Sequence, residues 1–169
     1  MRYIMKQQLF SWGDKYTIQN EQQLDVYQVE GKVFSLGHQL SFQDMNGREL
    51  VSIRQKLLSW GATYEIYRGA DLYAVVHKEL TFLAPKLSIE VQGEESLEVQ
   101  GTFLAHDYTF LRSQQSVAQV SEQWFTFADT YGVDIVDGMD PVLILACTVI
   151  IDEIMGDQRS SVSIMPTIS

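Results

Sequence analysis

The stretch that decides the fold is residues 140–156, Asp-Pro-Val-Leu-Ile-Leu-Ala-Cys-Thr-Val-Ile-Ile-Asp-Glu-Ile-Met-Gly. Thr148 is the only polar residue in its apolar run, 142–151. The opening Asp-Pro pair is typical of an N-cap and first turn, and Gly156 is a typical stop, so the pattern predicts a helix over 140–155. A helix that is apolar on every side must be surrounded by the rest of the protein.

This helix is too short to cross a membrane, because a transmembrane helix needs about 20 apolar residues. We therefore expect it in the interior of a protein and not in a bilayer. The chain before it alternates between apolar and polar residues, as half-buried strands do. The sequence thus predicts β-structure closed around one central helix.

A weak internal repeat supports this architecture. Each copy predicts the end of one strand, a short connection and the start of the next strand, with alternate residues on one face. Six such hairpins would supply about twelve antiparallel strands. The clear copies are Phe-Ser-Trp-Gly-Asp-Lys-Tyr-Thr-Ile (10–18), Phe-Ser-Leu-Gly-His-Gln-Leu-Ser-Phe (34–42) and Leu-Ser-Trp-Gly-Ala-Thr-Tyr-Glu-Ile (58–66); looser ones begin near residues 80, 103 and 125.

Further turns are predicted between the copies, at Glu30-Gly31, Asn46-Gly47, Gly69-Ala70-Asp71 and Gln92-Gly93-Glu94. Twelve tilted strands close to a barrel of about 24 Å diameter, wide enough for a helix about 10–12 Å across. A propeller also fits the period, but it has no place for a helix shielded from solvent. The predicted fold is mainly β: a closed 12-stranded antiparallel β-barrel wrapped around a central hydrophobic C-terminal helix.

Length and composition indicate one domain, over residues 1–157, and a disordered tail over 158–169. The single cysteine, Cys147, lies inside the apolar helix and favours a reducing compartment. The N-terminal residues contain no apolar run typical of a signal peptide. We therefore expect a cytoplasmic protein.

The charge is distributed unevenly. Residues 1–86 hold 10 Lys and Arg against 9 Asp and Glu, whereas residues 87–169 hold 2 against 13, and the whole chain carries −10. A balance this acidic argues against nucleic acid as a partner and against general adhesion to anionic lipid. A local basic face in the first half remains open.

Three blocks of sequence resemble LURP-one-related proteins, including their bacterial YxjI-type members. They are residues 1–14, Met-Arg-Tyr-Ile-Met-Lys-Gln-Gln-Leu-Phe-Ser-Trp-Gly-Asp; 26–37, Val-Tyr-Gln-Val-Glu-Gly-Lys-Val-Phe-Ser-Leu-Gly; and 55–59, Gln-Lys-Leu-Leu-Ser. The resemblance runs to about residue 157. It implies the tubby C-terminal-like fold, shared with phospholipid scramblases, which is a twelve-stranded barrel around a hydrophobic helix. Tubby domains bind phosphoinositide head groups through basic residues, and scramblases have a calcium segment just before the final helix.

The corresponding segment here, 129–140, is the one candidate for an ion site. Asp129, Asp137 and Asp140 match positions 1, 9 and 12 of a calcium loop, but positions 3 and 5 are Tyr131 and Val133, and position 6 is not glycine. The simpler interpretation is that Asp140 caps the helix and Asp137 begins a turn. These three are weak metal candidates.

Nothing in the sequence predicts catalysis. The three histidines, His38, His77 and His106, lack the spacing of zinc ligands, and a thiol in apolar surroundings is unreactive. No glycine-rich phosphate loop precedes a helix. We expect no catalytic residues, no cofactor and no enzyme.

The leading hypothesis is a non-enzymatic intracellular binding or scaffold module that contacts a protein partner, still unknown, through the barrel exterior. The alternative is a peripheral phospholipid- or phosphoinositide-binding protein, assisted by calcium or not. The two differ in whether Lys6, Lys15, Lys32, Arg54, Lys56 and Lys78 converge on one face.

Overall fold

The computed structural model describes residues 1–10, 13–31, 38–57, 61–79, 86–122 and 130–162. In these ranges the chain forms twelve strands and then a helix, with a short 3-10 helix, Phe103–Ala105, between β9 and β10. The elements are β1 (Arg2–Phe10), β2 (Gly13–Gln19), β3 (Asp25–Gly31), β4 (Gln39–Asp44), β5 (Glu49–Gln55), β6 (Thr63–Arg68), β7 (Asp71–Glu79), β8 (Lys86–Val91), β9 (Leu97–Thr102), β10 (Asp107–Arg112), β11 (Gln115–Ser121), β12 (Thr130–Ile135) and α1 (Pro141–Val162).

The strands form a closed antiparallel barrel. Each strand pairs with the next one along the chain, and β12 pairs with β1 to close the ring. Among the twelve described strands, closure leaves no sheet edge exposed for pairing with another chain. The predicted fold is confirmed.

The two ends of the barrel are distinct. Because consecutive strands run in opposite directions, the connections from odd to even strands lie at one end and those from even to odd strands at the other. The helix starts after β12, at the end that holds the connections from even to odd strands. We call this the entry end. The C-terminal half of the helix reaches the opposite, exit end.

The helix fills the barrel. From Leu143 to Met155 every residue is buried, and the inward side chains of the strands form a single core with its apolar residues. The Thr148 hydroxyl donates to the Ile144 carbonyl 2.9 Å away, so its polar group is satisfied within the helix. Each buried aliphatic side chain contributes about 1.5–3 kcal/mol, which makes the helix a principal source of stability.

The repeat predicts the inward faces correctly. In each clear copy the two residues assigned to one face are buried: Tyr16 and Ile18, Leu40 and Phe42, Tyr64 and Ile66.

The turn predicted at Glu30-Gly31 is wrong, since β3 includes both residues. The chain reverses earlier, at Asn20, whose side-chain oxygen accepts hydrogen bonds from the backbone of Gln22 and Leu24 at 3.0 Å each. Asparagine makes this local turn with its own side chain and needs no glycine.

The helix continues beyond its predicted end. The sequence predicts 140–155, whereas α1 runs from Pro141 to Val162 and passes through Gly156. A glycine inside a helix costs only about 1 kcal/mol relative to alanine, so it does not compel the helix to stop. Residues 158–162 of the expected disordered tail are therefore helical, and residues 163–169 lie outside the described residues.

Candidate functional site

Two adjacent carboxylates lie inside the exit end of the barrel. Asp152 and Glu153 of α1 are only 8% and 7% exposed. Burying a charged carboxylate is unfavourable unless hydrogen bonds and opposite charges compensate it. The side chains around them form what we call the exit-end collar: Tyr16, His38, His106, Tyr108 and Tyr131, together with Asp152 and Glu153.

Asp152 is held by a histidine and a tyrosine. His106 Nε2 lies 3.1 Å from Asp152 Oδ1, and the Tyr131 hydroxyl donates a short hydrogen bond to Oδ2. The His106 and Tyr131 rings stack with centroids 4.4 Å apart and planes 11° apart. On its other side His106 Nδ1 lies 3.7 Å from a Glu122 carboxylate oxygen. Both ring nitrogens of His106 therefore face carboxylates.

The backbone at His106 presents the ring to the helix. This residue ends the short 3-10 helix with φ 44° and ψ 44°, and its N–H donates to the Phe103 carbonyl at 3.1 Å. Left-handed backbone is unusual for a non-glycine residue and persists only where its surroundings enforce it. Burial lowers the pKa of His106, but the hydrogen bond and charge of Asp152, with the charge of Glu122, outweigh it and raise the pKa overall. The protonated imidazolium is thus favoured at this position.

Glu153 has a parallel arrangement on the neighbouring side of the helix. His38 Nδ1 lies 2.9 Å from Glu153 Oε2, and the Tyr16 hydroxyl donates to Oε1 at 3.5 Å. Gln7 donates in turn to the Tyr16 hydroxyl at 3.1 Å. The collar therefore fastens the helix to β1, β2 and the start of β4, as well as to β12 and the β9–β10 connection.

Burial changes the acidity of the tyrosines of the collar and of the cysteine on the same helix. Burial, and next the charge of Asp152, raise the pKa values of Tyr108 and Tyr131 well above normal, so both stay protonated. Burial likewise raises the pKa of the Cys147 thiol far above its usual value. Such a thiol is not nucleophilic. Within the described ranges no group of three or more His, Cys, Asp or Glu side chains has metal-site geometry.

Residues 136–140 of the predicted ion segment follow β12 at the entry end. Asp140 caps the helix, accepting a hydrogen bond from the Val142 N–H at 3.1 Å, as the sequence predicts. It also accepts hydrogen bonds from Arg68 and, at 2.9 Å, from the Tyr73 hydroxyl. The Asp137 side chain is 96% exposed and lies 3.9 Å from the N-terminal amine. Asp129 lies outside the described residues, so a calcium set of these three stays a prediction.

Among the described residues, the basic side chains whose convergence would favour lipid binding are distributed over several strands and connections. Lys15 is ion-paired with Glu30 at 2.9 Å and Lys56 with Glu65 at 3.6 Å. Lys78 follows Ala74 and Val76 on the inward face of β7, and burial lowers its pKa. Lys6 and Arg54 lie on β1 and β5, and Lys32 lies outside the described residues. Four of the five described lysines share an end of the barrel: Lys15, Lys56, Lys78 and Lys86 all lie near the exit end.

No helix within the described ranges combines the length and the apolar character needed to traverse a bilayer. In α1 the paired carboxylates of Asp152 and Glu153 interrupt the apolar sequence.

Comparisons with known proteins agree with this architecture. The sequence model of the LURP-one-related family matches residues 1–152. The uncharacterized protein YxjI of Bacillus subtilis (strain 168) is 31% identical over 160 residues, covering 94% of this chain and 97% of that protein. An X-ray structure of an Arabidopsis thaliana protein superposes with a TM-score of 0.67 at 17% identity, covering 90% of this chain and 91% of that one, which shows a common fold. This barrel, with its buried helix, is therefore a member of the LURP-one-related family.

Proposed function

We propose that this protein is a non-enzymatic intracellular binding or scaffold module that contacts a protein partner through the outside of its barrel. The observation that carries the proposal is the occupied lumen: Leu143 to Met155 are all buried within the ring of strands. A barrel of this size without a helix would have room for a ligand, as smaller barrels with open interiors do. In this protein the helix occupies that space, so a partner would bind to the outside of the barrel or to one of its two ends.

The chemistry of the buried polar groups supports the same proposal. The collar histidine whose pKa is raised, His106, faces a carboxylate with each of its ring nitrogens. A general base needs a nitrogen within reach of the substrate. An open depression of about 320 Å³ near the entry end is lined mostly by polar side chains, among them Glu95 and Glu98. Ligand pockets are typically concave and mostly apolar.

The test is to identify a partner and map where it binds. Affinity capture from cells that express the protein, followed by reconstitution with the purified partner, provides the complex. Hydrogen exchange then compares the free and bound forms. We expect added protection on strands and connections facing solvent, with the helix amides unchanged. Protection or perturbation confined to lumen residues would contradict the proposal.

The lipid alternative rests on a different observation, the placement of the lysines near the exit end. Lys78 and Lys86 lie on adjacent strands and, among the described residues, neither is in an ion pair. Cations held near a surface attract anionic lipid by about 1 kcal/mol each. Against it, Lys15 and Lys56 are neutralised by glutamates and the chain is acidic overall.

Co-sedimentation with vesicles distinguishes the two functions. Neutral, phosphatidylserine and phosphoinositide vesicles are compared with and without calcium, using wild type, Lys78→Gln/Lys86→Gln, and Arg48→Gln as the control at the opposite end. Binding to anionic vesicles that the lysine variant loses and the control keeps would establish the lipid function. Absence of sedimentation with every vesicle would leave the protein-binding module.

A further inference from the structure

Exposed apolar side chains lie at the hairpin tips of the entry end. Leu24, Met45, Leu72 and Val136 are exposed by 63%, 48%, 36% and 45%. Leu24 and Met45 lie in the β2–β3 and β4–β5 turns, Leu72 is the second residue of β7, and Val136 directly follows β12. Large exposed apolar side chains that share one end of a molecule are typical of an interaction site.

Each of these residues has a carboxylate next to it in the chain. The pairs are Leu24-Asp25, Asp44-Met45, Asp71-Leu72 and Val136-Asp137. We call these eight residues the entry rim. An apolar side chain with a carboxylate beside it recurs on successive connections, so this end of the barrel combines apolar surface with negative charge.

The negative charge of the entry end is only partly compensated. In the described part of the chain, each arginine at this end is already paired with a carboxylate: Arg2 with Asp134, Arg48 with Asp44, Arg68 with Asp140 and Arg112 with Glu94. The same ranges contain no ion pair for Asp25 or Asp71. The rim therefore retains a net negative field, which repels anionic lipid and nucleic acid and attracts cations.

The apolar tips lie on neighbouring connections around the ring. β3 pairs with β4 and β5 pairs with β6, so the β2–β3, β4–β5 and β6–β7 turns are adjacent in that order. Turns of this kind are separated by two strand spacings, about 10 Å. On an α-helix, residues i and i+7 are separated by a similar distance, about 10.5 Å. A helix with apolar residues at that spacing and lysines or arginines beside them complements the rim.

We propose that the entry rim binds a basic amphipathic helix of a partner protein. The apolar tips receive its apolar face, and the rim carboxylates receive its lysines or arginines. This inference rests on the proposed function, and it specifies the surface and the partner chemistry.

The experiment uses a labelled model peptide of leucine and lysine with leucines at helical spacing, and a scrambled peptide of the same composition. Fluorescence anisotropy measures the binding of both to wild type, to Leu24→Ser/Leu72→Ser, and to a control, Leu57→Ser/Leu104→Ser. Leu57 and Leu104 are 60% and 53% exposed near the exit end, so the control removes at least as much exposed leucine surface elsewhere. We expect the rim variant to bind the amphipathic peptide at least about tenfold more weakly and the control within about twofold of wild type.

Several results would overturn the inference. The first is that wild type binds the amphipathic and the scrambled peptide with equal affinity. The second is that the control variant loses as much affinity for the amphipathic peptide as the rim variant does. The third is that wild type does not bind the amphipathic peptide at all. Rim-dependent sedimentation with anionic vesicles, or rim-dependent self-association in the ultracentrifuge, would assign the surface to lipid or to a second copy instead. A natural partner recovered equally by wild type and the rim variant would refute this inference while leaving the proposed function intact.

Discussion

Replacing Asp152 with asparagine tests whether the exit-end collar is the charged fastening that its geometry indicates. The substitution keeps an oxygen that can accept the Tyr131 hydrogen bond but removes the negative charge 3.1 Å from His106. Removing one partner of a buried ion pair costs about 3–5 kcal/mol, and because the His106 side chain keeps 17% exposure we expect about 3 kcal/mol near pH 6.

The pH dependence provides a second, independent signature. The pKa of His106 is raised in the folded protein, so its stabilisation is fully present below the unfolded value of about 6.5 and is lost as the pH rises through the folded value. Each unit of that elevation corresponds to about 1.4 kcal/mol. The cost of Asp152→Asn is therefore expected to be larger near pH 6 than near pH 8.5.

Urea unfolding of wild type, Asp152→Asn and His106→Gln, repeated across this pH interval, makes the measurement. Both variants should have a shallower decline of unfolding free energy with rising pH than wild type has. Gly93→Ala is the control, since it changes no ionisable group and should leave the slope as it is. Identical slopes in wild type and both collar variants would refute the assignment of a charged His106–Asp152 pair.

Three further substitutions, each compared with a control substitution, test how the helix and strands are held. A Cβ at Gly101, where φ is +140°, would lie 2.4 Å from the Asp107 carbonyl oxygen and 2.6 Å from Tyr108 Cα, so Gly101→Ala should cost more than about 3 kcal/mol in thermal or urea unfolding. Gly93→Ala, with φ +73° and nothing within 4 Å, should cost only about 1 kcal/mol, and equal costs would contradict the steric argument. Asp140→Ala should cost at least about 1 kcal/mol through loss of the N-cap and of the Arg68 and Tyr73 contacts, against less than about 0.5 kcal/mol for Asp137→Ala. Ile150→Asp places a charge at a fully buried position and should abolish cooperative folding in circular dichroism, whereas Leu24→Asp at the exposed rim should not; a cooperatively melting Ile150→Asp protein would be evidence against the buried helix.

The barrel and its helix could be predicted because their signals are local. Inward residues alternate along each strand, as at Tyr64 and Ile66, and that alternation survives in a single sequence. The helix is apolar on every side, which a surface helix is not. The predicted C-terminal end of the helix at residue 155 is wrong, because Gly156 destabilises a helix by only about 1 kcal/mol and continued backbone hydrogen bonding outweighs that cost.

The collar could not be predicted from spacing. His38 lies 115 residues from Glu153 and His106 lies 46 residues from Asp152, and only closure of the barrel brings each pair together. One signal was available: a helix expected to be wholly enclosed contains two adjacent carboxylates, and buried carboxylates require partners. That argument predicts that partners exist, but it does not say which histidines supply them.

The entry rim, like the collar, could not be predicted from the sequence. The sequence places a carboxylate beside each of Leu24, Met45, Leu72 and Val136, but nothing local indicates that these four residues share one end. Only the order of the strands around the ring relates them. Surface sites built from several connections depend on topology, whereas core positions depend on periodicity.

The most direct test of the occupied lumen is the reactivity of Cys147, the single cysteine of the chain. Its side chain is fully buried on α1, and burial raises the pKa of its thiol. If the helix is released only when the whole barrel opens, a thiol reagent will label Cys147 with an opening free energy equal to the global unfolding free energy from urea. Rapid labelling of the native protein, at a rate unrelated to global unfolding, would contradict the account.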